Sequence, residues 1–192
     1  TGVVGAETVT LTPVLVFADK NASGTPKTVS LTGSSIAGID SGNYTLSLTG
    51  APTASANLTA RPITVSAVTD TKVYDGTTSS AGVPTITTGA LQGTDSVAWT
   101  QTYDNKNIGS GNKTMTAAGT VSDGNSGLNY SVTFATNTTG SITAKSLTIG
   151  GTFTANNKVY DATTSATILV NSLTLTGVVG AETVTLTPVL VF

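Results

Sequence analysis

The residues with side chains suited to chemistry are concentrated in two short stretches that repeat each other, DTKVYDGTTSS and NNKVYDATTSA. Both contain a lysine, a tyrosine and an aspartate in the order KVYD, namely Lys72, Tyr74 and Asp75 in one and Lys158, Tyr160 and Asp161 in the other. An aspartate before small polar residues favours an Asx-type turn, whose carboxylate accepts the backbone N–H groups of the following threonines. We therefore interpret these residues as a structural motif, with Tyr74 packed across a sheet edge.

The position after the motif aspartate is glycine in the first stretch and alanine in the second, Gly76 and Ala162. Alanine resists a positive φ because its Cβ meets the backbone there. The exchange predicts that this position does not require a positive φ. It also argues against any role that needs a glycine.

The same aspartates permit a second hypothesis, a calcium site. Asp70 and Asp75, together with nearby carbonyl groups, offer the oxygen ligands that Ca²⁺ prefers. However, Asn156 stands where Asp70 would align in the second stretch, and the sequence contains no dense carboxylate loop. We therefore expect no cofactor and keep Ca²⁺ as the alternative.

A third hypothesis is an amide crosslink between a lysine and an asparagine or aspartate, assisted by a neighbouring carboxyl group. Lys72 and Lys113 are the candidate donors. The sequence alone does not bring the three groups together, so the acceptor stays open.

The composition excludes several classes of function. The chain carries 8 Lys and Arg against 10 Asp and Glu, a net charge of -2, which is too little to draw it onto nucleic acid or an anionic membrane. Because the sequence has neither Cys nor His, it has no thiolate nucleophile, no imidazole base and none of the usual zinc ligands. We expect no enzymatic activity, no nucleic-acid partner and no membrane insertion.

The whole chain repeats with a period of about 86 residues. Tyr160 follows Tyr74 by 86 residues, and Tyr130 follows Tyr44 by the same interval. In phase with this period, the chain divides into the C-terminal part of a first copy (1–60), a complete copy (61–145) and the N-terminal part of a third (146–192). The first seventeen residues, TGVVGAETVTLTPVLVF, recur unchanged as the last seventeen. They indicate a section of a longer polymer with a 175-residue period, or else an arbitrary fragment of the protein.

Abundant Thr and Val and alternating apolar residues predict an all-β fold. In the complete copy we predict strands at 62–69, 72–74, 82–89, 96–103, 113–118, 129–136 and 141–143. Residues 104–112 are predicted to form a long turn, and 121–127 a loop with room for one helical turn. This pattern fits tandem small β-domains of the β-sandwich or β-grasp-like type.

Only Thr-Ala-Arg-Pro separates Leu58 from Ile63, and only Thr-Ala-Lys-Ser separates Ile142 from Leu147. Flexible tethers are longer and richer in Gly and Ser. The links therefore predict that the copies join into a stiff, elongated rod. Neighbouring copies would be partners, either in one continuous chain or by strand complementation between identical chains.

The succession of KVYDGTT, GVVGAETVTL, FADKN, KTVSLTG, GIDSGNYTL and LTARPITV resembles the YDG-type repeat of large bacterial surface proteins, including adhesins and filamentous-haemagglutinin-like exoproteins. The resemblance covers essentially the whole chain. It implies an extracellular or cell-surface location, tandem domains that act as spacers or as a fibre body, and no catalytic residues.

We therefore expect a structural repeat segment of a long extracellular bacterial fibre or adhesin stalk. The alternative is a module that binds glycans or the surface of a host or neighbouring cell weakly and gains avidity from repetition. An exposed aromatic residue that recurs at one position in every copy would favour this alternative.

Overall fold

The computed structural model describes residues 2–191; Thr1 and Phe192, which begin and end the repeated seventeen-residue segment, lie outside them. Across the described residues the chain forms sixteen strands, a 3-10 turn at Ser41–Asn43 and no α-helix. In chain order the strands are β1 (Thr10–Thr12), β2 (Val16–Phe17), β3 (Lys27–Ser30), β4 (Ser35–Ala37), β5 (Ala54–Ala56), β6 (Arg61–Ser66), β7 (Thr71–Val73), β8 (Thr85–Thr88), β9 (Ser96–Tyr103), β10 (Gly109–Ser122), β11 (Tyr130–Ala135), β12 (Asn137–Thr143), β13 (Thr148–Ala155), β14 (Ser165–Ala166), β15 (Ile168–Thr176) and β16 (Leu190–Val191). These strands form several small sheets, which confirms the all-β class.

The chain has two compact units. The first comprises the described residues up to Val65 together with Ile86–Trp99 and Gly119–Phe134, and the second comprises Ser66–Thr85, Thr100–Ala118 and the described residues from Ala135 onward. Each unit contains part of the copy that the sequence places at 61–145. The proposed boundaries at 60 and 145 stay a prediction.

The first unit contains the antiparallel pair β1-β4, the three-stranded sheet β2-β3-β5, and most of a second three-stranded sheet, β11-β6-β8. Strand β6 alternates as its sequence predicts, because Ile63 and Val65 are buried while Thr64 is half-buried. Trp99 is buried edge-on against the ring of Phe134, with the ring centroids 5.6 Å apart. This position places Trp99 in the core rather than on a sugar-binding surface.

In the second unit, β12 pairs with β7 in parallel and with β10 in antiparallel orientation, within a sheet of order β7-β12-β10-β9. Met115 and Ile142 are fully or almost fully buried there. A Cβ at Gly140 would lie only 2.6 Å from Met115 Sδ. The absence of a side chain at Gly140 therefore provides the space that the Met115 side chain occupies. The unit also contains the hairpin β13-β15 and the short pair β14-β16.

Strand β9 has the predicted bounds, 96–103, whereas the predicted bounds of the turn and strand that follow it are wrong. The predicted turn at 104–112 ends early because β10 begins at Gly109, where it pairs with Ile142 of β12. Strand β10 also continues to Ser122, beyond the predicted end at 118. No helical turn follows it; instead, the Asp123 carboxylate accepts the backbone N–H groups of Asn125, Gly127 and Asn129 at 2.7–2.9 Å. Pairing with a distant strand overrides the turn preference of the Gly and Ser residues.

Candidate functional site

The first of the two repeated stretches, DTKVYDGTTSS, folds into a turn that is closed around one carboxylate oxygen. This turn and its counterpart in NNKVYDATTSA are called the YDG turns below. Asp75 Oδ1 accepts the backbone N–H of Thr77 at 2.9 Å and the ammonium of Lys72 at 2.8 Å. The Lys72 ammonium also donates to the Thr77 carbonyl at 2.9 Å and lies 5.3 Å from the centre of the Tyr103 ring. The hydrogen bond from Lys72, with those from Thr77, lowers the pKa of Asp75 to about 2.

The second stretch repeats this geometry. Asp161 Oδ1 accepts the Thr163 N–H at 3.0 Å and lies 2.7 Å from the Lys158 ammonium, whose hydrogen bond lowers the pKa of Asp161. Lys158 also donates to the carbonyls of Thr163 and Ser165. Both turns are thus closed by hydrogen bonds among residues of the motif itself.

The prediction from the Gly-to-Ala exchange is wrong. Gly76 has a φ of 78° and Ala162 a φ of 59°, so the position adopts a left-handed backbone in both copies. The ion pair and the Asx turn hold Ala162 in this conformation despite the strain at its Cβ. The motif therefore does favour glycine at this position.

The two aspartates of the calcium hypothesis face different protein donors. Asp70 accepts the Ser80 hydroxyl at 2.5 Å and the Ala81 N–H at 3.0 Å, so that it anchors the segment after the YDG turn. The Ser80 bond leads the interactions that lower the pKa of Asp70. Among residues 2–191, no group of three acidic, cysteine or histidine side chains is placed to hold a metal ion.

Tyr44 and Tyr130 each form a clamp, in which the tyrosine hydroxyl joins a carboxylate to a backbone amide. Tyr130 donates to Asp95 Oδ2 at 2.6 Å and accepts the Gln92 N–H at 2.8 Å. Burial, followed by the hydrogen bond to Asp95, raises the pKa of Tyr130.

The earlier clamp has the same spacing. Tyr44 donates to Glu7 Oε2 and accepts the Val4 N–H at 2.8 Å, so the carboxylate again lies three residues after the amide. The bond to Glu7 is the main cause that raises the pKa of Tyr44. The same arrangement of tyrosine hydroxyl, carboxylate and backbone amide thus occurs at Tyr44 and at Tyr130.

The Tyr74 hydroxyl also binds a carboxylate, that of Glu182, the residue that corresponds to Glu7 in the repeated seventeen-residue segment. The Tyr74 hydroxyl donates to Glu182 Oε1, and the Lys106 ammonium donates to the same oxygen at 2.6 Å. Lys106 also lies 5.8 Å from the centre of the Tyr74 ring. The bonds from Lys106 and Tyr74 lower the pKa of Glu182, and the bond to Glu182 raises that of Lys106.

Tyr160 stands at the same place in its motif as Tyr74 but is 91% exposed. In the division by copies, Tyr74 belongs to the middle copy and Glu182 to the third. The Tyr74 contact is therefore one between successive copies, whereas Tyr160 presents the same side chain to solvent.

A cleft lies beside each of the two short links. The one in the second unit has a volume of about 470 Å³, and its walls include Tyr74, Glu182, Leu147 and Val179. The one in the first unit has a volume of about 490 Å³, and its lining residues include Leu58, Arg61, Lys20, Asp95 and Tyr130. Each cleft thus brings a link beside the carboxylate of a tyrosine contact.

Hydrogen bonds between backbone groups and asparagine side chains also join the segments that the sequence assigns to the first and middle copies, inside the first unit. The Ala22 N–H donates to Asn129 Oδ1 at 2.7 Å, and Asn125 Nδ2 donates to the Ala22 carbonyl at 3.2 Å. Within the described residues, each sequence-defined junction therefore contains direct side-chain hydrogen bonds.

The structure brings Lys72 together with Asp75, and Lys158 with Asp161, whereas Tyr44, Tyr130 and Tyr74 each have a separate acidic partner. Sequence reasoning missed these partners, Glu7, Asp95 and Glu182. For Glu7 and Asp95 the available signal was the recurrence of an acidic residue 37 and 35 residues before the tyrosine, in GAET and GTDS. Glu182, which follows Tyr74 by 108 residues, has no such signal.

A model of the YDG domain family matches residues 1–54 and 59–139, more than half of the chain. No match to the chain was found among curated proteins or among solved structures. No helix in residues 2–191 combines the length and apolar character needed to cross a membrane.

Proposed function

We propose, from the premise that the chain belongs to the YDG domain family, that it is a structural repeat segment of a long extracellular bacterial surface fibre or adhesin stalk. Its copies would act as spacers that carry a binding region away from the cell. In this proposal the tandem copies form an elongated rod, and the chain is not an enzyme that acts on a separate substrate.

The contact of Tyr74 with Glu182 and Lys106 carries this proposal. It uses the tyrosine of one YDG motif and the glutamate of the next GAET segment, and both sequences recur along the chain. A contact built from recurring residues can be made at every junction, as a repeat architecture requires. The links of four residues at each junction further limit the freedom of one copy relative to the next.

The turns and clamps suit such a role because they rely on hydrogen bonds within the chain. Asp75 and Asp161 are held by lysines of their own motifs, and Tyr44 and Tyr130 by acidic residues of their own copies. Without cysteines, the fold is independent of the redox state outside the cell.

The binding alternative gains no specific support from the aromatic side chains. Tyr74 is half-buried against Glu182, whereas Tyr160 is exposed, so this position does not offer the same surface in both copies. Trp99 is buried.

The location can be tested by labelling intact, unpermeabilised cells that make the protein with antibodies raised against this chain, with a cytoplasmic protein as the control. Surface labelling in fibres that project from the cell is the expected result. Labelling only after permeabilisation would contradict an extracellular role.

A further inference from the structure

Lys113 is a buried lysine that lies against a side-chain amide. Its side chain is only 5% exposed, and the ammonium lies 2.5 Å from Asn105 Oδ1 and 3.1 Å from Asp104 Oδ1. A buried amine beside an amide carbonyl is placed to act as a nucleophile once it gives up a proton. The three groups of an amide crosslink, which the sequence left apart, therefore come together here.

Asp104 bridges the attacking nitrogen and the nitrogen that would leave. Its Oδ1 faces the Lys113 ammonium, while its Oδ2 accepts a hydrogen bond from Asn105 Nδ2 at 3.2 Å. The hydrogen bond from Lys113 lowers the pKa of Asp104, so the carboxylate is ionised in the folded chain. One carboxylate can thus take a proton from one nitrogen and deliver it to the other.

The Asn105 carbonyl is polarised on its other side. The backbone N–H of Asn107 donates to Asn105 Oδ1 at 3.0 Å, so this oxygen accepts hydrogen bonds from both Asn107 and Lys113. In a side-chain amide the oxygen accepts hydrogen bonds and the NH2 group only donates them. The two donors therefore establish which of the two amide atoms of Asn105 faces Lys113. The Asn107 N–H would stabilise negative charge that develops on this oxygen.

We propose that Lys113 and Asn105 form an intramolecular amide crosslink, with Asp104 as the proton carrier. The Lys113 ammonium gives a proton to Asp104, and the neutral Nζ attacks Asn105 Cγ to form a tetrahedral intermediate. Asp104 returns a proton to Nδ2, the Cγ–Nδ2 bond breaks, and a new Cγ–Nζ amide remains. The second proton of the amine leaves with the departing group, which is released as ammonium, so no oxidant or other reactant is needed.

The first copy provides an internal comparison. Lys27 and Asp19 align with Lys113 and Asn105, and the Asn21 N–H donates to Asp19 Oδ1 at 2.8 Å, as Asn107 does to Asn105. However, Ala18 replaces Asp104, and a carboxylate replaces the amide. Lys27 and Asp19 form an ion pair, and without a bridging carboxylate we expect no crosslink there.

The crosslink would close the segment 105–113 covalently at the start of β10. It would also remove a charge from a buried site, where a charge requires pairing. This goes beyond the spacer function, because the crosslink can be present or absent whether or not the chain is a spacer.

Intact mass spectrometry of the denatured 192-residue chain tests the proposal, after incubation of the folded protein until its mass is constant. We expect a mass lower than that of the sequence by one ammonia, about 17 Da, and fragment ions that join Asn105 to Lys113. Lys113→Arg cannot form the amide and Asp104→Asn cannot carry the proton, so both should show the full mass of their sequences. The control Lys27→Arg should still lack one ammonia.

A wild-type chain with the full mass of its sequence, whose Lys113 amine reacts with an acylating reagent after denaturation, would overturn the proposal. This result needs no variant, so it decides the question even if Asp104→Asn fails to fold. Loss of ammonia that persists in Lys113→Arg would overturn it equally, because the ammonia would then come from another site.

Discussion

Gly76 and Ala162 occupy the same left-handed position in the two YDG turns. Exchanging glycine and alanine there should change the stability of the protein in opposite directions in the two turns. In Gly76→Ala, a Cβ enters a backbone with a φ of 78° and lies 2.8 Å from Cγ1 of Val179. Ala162→Gly makes the reverse exchange at a φ of 59°. The two substitutions should change the free energy of unfolding in opposite directions.

The expected change in the free energy of unfolding of Gly76→Ala follows from three contributions. An alanine in the left-handed region costs about 1–2 kcal/mol, and the contact with Val179 adds about 1 kcal/mol of overpacking. The lower entropy of the unfolded alanine chain offsets about 0.4–1 kcal/mol. Gly76→Ala should therefore destabilise the protein by about 2 kcal/mol, whereas Ala162→Gly should stabilise it by up to about 1 kcal/mol.

Urea unfolding followed by far-UV circular dichroism measures both effects. The double variant Gly76→Ala/Val179→Ala removes the clash and keeps the backbone strain, so it separates the two causes. For a chain of this size, about 2 kcal/mol corresponds to a fall in melting temperature of roughly 4–8 °C. If Gly76→Ala were as stable as the wild type, the left-handed turn would not exist in solution and the reasoning would be refuted.

Three further predictions concern single contacts. Tyr130→Phe removes the hydroxyl between Asp95 and the Gln92 N–H, and should lower the free energy of urea unfolding by about 1–3 kcal/mol; an unchanged value would exclude the clamp. The pKa of Asp75 falls from 3.8 to about 2 on folding, so its contribution to stability is present above about pH 4 and is lost as the pH falls towards 2. The urea midpoints of the wild type and Asp75→Asn should therefore differ at pH 5 and converge by about pH 2; a constant difference would contradict this linkage. Ala18→Asp combined with Asp19→Asn gives the first copy the crosslinking residues of the second, and intact mass should show a second loss of ammonia, about 17 Da; a single loss would mean that these residues are insufficient.

The sequence correctly predicted those elements that are determined by their own residues and not by contacts with distant parts of the chain. Strand β9 follows directly from the alternation over Ser96–Tyr103, and the Asx turn follows from an aspartate that precedes small polar residues. The length of β10 was not predictable in this way, because its Gly-rich start is extended by pairing with β12. Local preference alone predicts a turn there.

The candidate site was predicted in part for the same reason. Each lysine and aspartate of a YDG turn lie three residues apart, so their pairing is a local property. The tyrosine partners Glu7 and Asp95 lie 35 or more residues away, and only the fold brings them into contact. The left-handed φ of Ala162 was mispredicted because the surrounding hydrogen bonds outweigh the preference of alanine.

Small-angle X-ray scattering tests the central claim, that successive copies join into an extended spacer, most directly. The 192-residue chain would be compared with a chain lengthened by one more 86-residue copy, each with and without Tyr74→Phe. We predict that the added copy increases the maximum dimension by a fixed increment, and that Tyr74→Phe broadens the distance distribution. A compact particle, or growth that follows the scaling of a flexible chain, would contradict the account.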